Sequence, residues 1–123
     1  MYRLICRSIL EFSAPLWSGA LTKKNSDKIE NVQKTCFKVI LGIKYLSYQN
    51  SLKVLNEITL EERRKKLCTK FAKKSAVNPK MSFLFQRRAH RTRKGRPYIE
   101  PKTHSKRAQN GSIPYLIRLL NQL

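Results

Sequence analysis

The sequence predicts a mainly α fold: a small bundle of about four helices, then a basic irregular segment, then a short C-terminal helix. Two observations predict it. Apolar residues recur at the three- and four-residue spacing of a helical face through residues 1–79, whereas residues 86–112 show no such period. Start and stop residues also punctuate the first stretch, among them Gly42, Thr59 and Asn78-Pro79. The expected division is a helical bundle over 1–79, a basic disordered segment over 80–112 and an amphipathic helix over 113–123.

The first helix is expected over residues 2–13. Tyr2, Ile5, Ile9 and Phe12 lie on one face, while Arg3, Arg7 and Glu11 lie on the other, with Arg7 and Glu11 spaced for an ion pair. Pro15 is expected to end this helix, and Trp17 to pack into the core. A second helix is expected over 26–41, capped by Asn25 or Ser26, with Asp27 favouring its positive end. Its buried stripe is read as Ile29, Val32, Cys36, Val39 and Ile40, widened by Phe37, and Gly42 stops it. A third helix over 48–56 turns Leu52 and Leu55 inward.

The strongest local signal opens the fourth helix. Thr59-Leu60-Glu61-Glu62 is a capping box, in which Thr59 caps and Glu62 reaches back, and the helix runs to about residue 77 before Asn78-Pro79 stops it. At about 100° per residue, Leu60, Leu67, Cys68, Phe71 and Ala72 fall on one side and are read as core. Arg63, Lys66, Lys70 and Lys73 fall together on another side, a candidate phosphate-contacting stripe. Arg64 projects into the apolar side, so it is expected to meet a carboxylate, Glu30 or Glu11.

Residues 86–107 carry nine Lys and Arg against the single acid Glu100, a formal +8. Arg87, Arg88, Arg91, Arg93, Lys94 and Arg96 are the candidate contacts of a nucleic-acid-binding arm. Tyr98 is a candidate for stacking on a base, and His90 and His104 are expected to be exposed. Residues 113–122 read as a short amphipathic helix with Pro114 near its first turn and Leu116, Leu119 and Leu120 on the docking side.

Charge bounds the function. The chain has 123 residues with 27 Lys and Arg against seven acids, a formal +20, and like charges crowded into one small body favour a polyanionic partner. Asp27 is the one aspartate, whereas metal-assisted phosphoryl transfer draws on several carboxylates around paired cations. No catalytic residue, metal site or cofactor is therefore expected. Cys6, Cys36 and Cys68 form no CxxC pair, so no zinc site is expected, and so odd and well-spread a set fits reduced, buried core thiols in an intracellular protein, nuclear or cytoplasmic. The apolar stretch Leu4–Leu10 is interrupted by Arg7 and followed by Glu11, a poor secretion signal, and no segment is apolar enough for a membrane span.

An ordered set of short pieces resembles the C-terminal part of reverse transcriptases from non-LTR retrotransposons (LINE-type, jockey-like). Leu10-Glu11-Phe12 leads to Pro15 and Trp17; Leu21-Thr22 precedes Ile29-Glu30, Val32-Gln33-Lys34 and Val39-Ile40-Leu41-Gly42. Tyr48, Leu52 and Leu55 lead into Leu60-Glu61-Glu62-Arg63-Arg64; Leu67-Cys68, Lys70-Phe71-Ala72-Lys73-Lys74 and Asn78 follow, and Ile113-Pro114-Tyr115-Leu116 with Leu119-Leu120-Asn121 closes the set. The resemblance covers residues 1–85 and about 112–121; segment 86–111 matches none of its motifs. It implies the thumb and the region after it, C-terminal to a palm domain that carries the Tyr-x-Asp-Asp motif and the metal-binding aspartates. None of these is present, so the chain is expected to be a non-catalytic fragment that grips RNA, DNA or an RNA–DNA hybrid, with the palm as missing partner. A stand-alone basic RNA- or DNA-binding protein is the second reading. A module for anionic membranes or for protein interaction, built on the amphipathic first and last helices, is the third.

Overall fold

The computed structural model describes residues 2–90 and 93–122. They are mainly helical, as the periodicity predicts, and include seven α-helices. Among the described residues no strand forms; one isolated antiparallel bridge joins Arg87 and Tyr98. The chain falls into two compact units, Met1–Phe12 with Leu21–Lys65, and Ser13–Ala20 with Lys66–Leu123. This division differs from the expected one: it runs inside the helix Leu60–Val77, and the C-terminal helix belongs to a core rather than standing apart.

In the first unit, α1 spans only Cys6–Leu10. The expected helix over 2–13 is shorter because Ile5, which starts it, offers no capping side chain, while the Ser8 hydroxyl bonds back to the Leu4 and Ile5 carbonyls. Of the face expected to be buried, Tyr2 packs but Ile5, Ile9 and Phe12 are exposed. Ile9 and Phe12 are 70% and 77% exposed, whereas Glu57 draws in Arg7 at 2.7 Å and Arg3 at 2.5 Å, and Glu11 pairs with Arg7 and Arg63. Both faces of the segment are equally periodic. Mutual pairing offsets part of the desolvation cost that would otherwise hold the charges outside.

The second long helix, α3, spans Lys23–Leu41, and is preceded in the chain by the four-residue α2, Ala14–Trp17. α3 starts before the expected point because Thr22, not Asn25 or Ser26, accepts from the Asn25 amide at 3.3 Å. Its buried members are Gln33 and Phe37, while Val32, Val39 and Ile40 of the expected stripe are exposed. This polar interior is satisfied by partners far away in sequence. Gln33 accepts from the Tyr2 hydroxyl at 2.5 Å and donates to the Tyr48 hydroxyl at 2.8 Å. Tyr48 donates in turn to Glu30, whose other oxygen accepts the Glu61 amide at 2.9 Å. Phe37 fills the space between the Tyr2 and Tyr48 rings, with centroids 5.6 and 6.0 Å away. Burial is the leading cause that pushes both phenols above their ordinary range. Gly42 ends α3 as expected, at φ 54 with its amide on the Lys38 carbonyl.

Helix α4, Tyr48–Val54, is capped by Ser47 and buries Ser51 and Leu52. Helix α5, Leu60–Val77, begins where the capping box places it, with the Glu62 amide on the Thr59 hydroxyl at 3.3 Å. Arg64 is buried, and its guanidinium donates to the Ser26 hydroxyl at 2.7 Å. Of the two carboxylates named for it, Glu30 caps α5 and Glu11 holds Arg63.

The second unit has its own apolar core. Cys68 and Ala72 of α5 meet Phe85 and, from α7 (Ser112–Asn121), Leu116, Ile117, Leu119 and Leu120. Pro15 opens α2 instead of ending α1: Ser13 takes a left-handed φ of 50, and proline's missing amide costs nothing in a first helical turn. Trp17 is half-buried rather than central. Gly19 is required where it stands, because a Cβ there would lie 2.6 Å from the Tyr115 Cβ and 2.8 Å from the Asn110 carbonyl oxygen.

Phe71 corrects another expectation. It is 37% exposed, since the buried side of α5 runs through Leu60, Arg64, Cys68, Ala72 and Ser75. Phe71→Ala is therefore expected to cost about 1 kcal/mol or less, in place of the ~3–5 kcal/mol typical of a core phenylalanine, as a urea melt would read it.

Candidate nucleic-acid interface

The cationic side chains of the second unit stand on two scaffolds. The first is α5, where Lys66, Lys70 and Lys73 are exposed at the four- and three-residue spacing that aligns them on one face. Arg63, the fourth member of the expected stripe, is different. It lies in the first unit with its side chain 32% exposed and bound to Glu11, so it braces α1 instead of facing a ligand.

The second scaffold is the segment expected to be irregular. After Phe85 enters the core, the chain turns back on itself: the Arg88 amide bonds the Pro97 carbonyl at 2.8 Å, and the Ile99 amide bonds the Gln86 carbonyl at 2.9 Å. Asn121 of α7 clasps the return limb, accepting from the Tyr98 amide at 3.0 Å and donating to its carbonyl at 3.3 Å. Gly95, at φ 63, supplies the left-handed turn. Arg87, Arg88, His90, Gly95, Arg96 and Pro97 line a cavity of about 410 Å³ in this hairpin.

Arg93 and Lys94 are exposed at the turn, while Arg91 lies outside the described residues. Tyr98 is half-buried beneath the Arg87 guanidinium, 5.7 Å from the ring centroid, so the ring expected to stack on a base already carries a cation. His90 and His104 are exposed, and His90 also lines the cavity. Sequence reading missed this cavity. Its only local trace is Gly95-Arg96-Pro97; the closure itself depends on Asn121, 23 residues beyond Tyr98.

The two units differ sharply in charge. The second carries fifteen Lys and Arg against Glu100 alone, a formal +14, and the first carries twelve against six, a formal +6. In the first unit Glu57, Glu11 and Glu30 are engaged by Arg3, Arg7, Arg63, Tyr48 and a helix amide. In the second, Glu100 reaches Arg118 only loosely, at 3.9 Å. Cations so poorly compensated hold a strong positive potential over the surface that carries them.

No family model, curated protein or solved structure matches this chain. Among the described residues no three His, Cys, Asp or Glu side chains gather as metal ligands, and no helix is long and apolar enough to cross a membrane.

Proposed function

We propose that this chain binds nucleic acid (RNA, DNA or their hybrid) through the phosphate backbone and catalyses no reaction itself. The observation that carries the reading is the formal +14 of a unit with one acid, displayed on a helix face and around a hairpin cavity. Lys66, Lys70 and Lys73 fit point-charge contacts along a strand, and Arg87 and Arg88 offer forked donors suited to phosphate oxygens. Contacts of this kind hold a duplex in place without reading its bases.

The finer reading rests on the residue resemblance described above. We propose that the chain is the thumb-region part of a reverse transcriptase of the non-LTR retrotransposon kind, working beside a palm domain that supplies the catalytic aspartates. The membrane reading loses one support, because Leu116, Leu119 and Leu120 of α7 are buried in the core of the second unit.

The test is an anisotropy titration with two labelled duplexes of one sequence, one of ordinary hybrid and one with an uncharged peptide backbone on both strands. Binding to the charged duplex and none to the uncharged one is expected. Equal affinity for both would show that phosphates are not what is recognised.

A further inference from the structure

The three cysteines occupy different surroundings. Cys68 is buried in the core of the second unit, whereas Cys6 and Cys36 are half-buried in the first. Cys6 opens α1, and Cys36 lies toward the end of α3. The packing brings them together. Tyr2 touches α3 through its hydrogen bond to Gln33 and its ring contact with Phe37, and the Arg7 amide folds back onto the Tyr2 carbonyl at 3.0 Å. Cys6 lies one turn beyond Tyr2, on the segment that Tyr2 ties to α3, and Cys36 lies beside Phe37 and one turn beyond Gln33. The Cys36 thiol is hydrogen-bonded to Cys6; burial first, and then this neighbour, push it above the usual thiol range.

We infer that Cys6 and Cys36 are a redox modification site, closing reversibly into an intramolecular disulfide with a small-molecule disulfide such as oxidised glutathione as oxidant. One cysteine thiolate attacks the small disulfide, forms a mixed disulfide and releases one small thiol. The second cysteine loses its proton to solvent, attacks the protein sulfur of the mixed disulfide and expels the other small thiol. Two protein thiols together lose two electrons and two protons, and one small disulfide becomes two thiols. Because the thiolate is the attacking form and Cys36 holds its proton tightly, closure is faster in mild alkali than at neutrality. The bond ties the segment carrying Arg3 and Arg7 to α3 and restricts the unfolded chain between residues 6 and 36. The inference stands apart from nucleic-acid binding and does not depend on it.

Trypsin places each cysteine in its own tetrapeptide: Leu4–Arg7, Thr35–Lys38 and Leu67–Lys70. The whole chain is incubated folded with oxidised glutathione at neutral and mildly alkaline pH, alkylated, digested without reduction and weighed by mass spectrometry. The expected product is Leu4–Arg7 linked to Thr35–Lys38, with Leu67–Lys70 alkylated. The link disappears with dithiothreitol, forms faster at the higher pH and raises the melting midpoint by several degrees; Cys68→Ser leaves it intact. Alkylation of all three peptides, persistent glutathione adducts without a link, links between chains, or any link to Leu67–Lys70 would overturn the assignment.

Discussion

Replacing Lys66, Lys70, Lys73, Arg87 and Arg88 together with glutamine is expected to lower affinity for a nucleic-acid duplex about 100-fold or more near 0.1 M salt. The matched control replaces Lys23, Lys24, Lys28, Lys44 and Lys53, all exposed in the first unit, and is expected to change affinity by no more than about 3–5-fold, the size left to long-range attraction. Both variants fall from +20 to +15, so net charge cannot separate them. Position does, because a phosphate contact requires a cation within hydrogen-bonding reach, whereas a cation that makes no contact acts only through an attraction screened over about 10 Å at this salt. Helix content should survive in both variants, since every replaced side chain is exposed and glutamine is a fair helix former. Equal losses in the two variants would mean that the chain is a diffuse polycation with no particular face.

Phe37→Ala is expected to be the most damaging single apolar substitution in the first unit, at about 3–5 kcal/mol. Phe37 is fully buried and is flanked by both tyrosines whose hydroxyls join the Gln33–Glu30 network. Its loss leaves a cavity and frees Tyr2 and Tyr48 to swing, so Gln33, itself buried, loses the partners that make its burial tolerable. In a small domain crowded with like charge, a loss of this size approaches the whole stability. A urea midpoint close to that of the native chain would take Phe37 out of the core.

Helix ends set by one short-range signal were legible at three places, whereas the bounds of α1, the Thr22 cap of α3 and the role of Pro15 were not. Gly42, Thr59 and Pro114 act on backbone groups within a few residues, and each stands where its helix turns, starts or stops. Helix faces were less legible. Counting apolar residues placed Val39 and Phe71 inside, yet the interior accepts Gln33, Arg64, Ser51 and Ser75. Each of the first two is held by a partner distant in sequence, Gln33 by Tyr2 and Arg64 by Ser26, which no window of a helix turn can reveal. The same limit applied to the site. The spacing of Lys66, Lys70 and Lys73 predicted their alignment, but the pairing of Arg63 with Glu11 spans 52 residues and removed it from the stripe. Segment 86–107 lacks an apolar stripe, and that absence hid a hairpin held by backbone bonds and by Asn121.

The most direct test of phosphate recognition is the salt dependence of binding. Affinity for a short hybrid duplex is measured from about 50 to 200 mM monovalent salt, and with about five phosphates engaged the log–log slope should lie near −4 to −5. A flat line, or no binding at the lowest salt, would contradict the account.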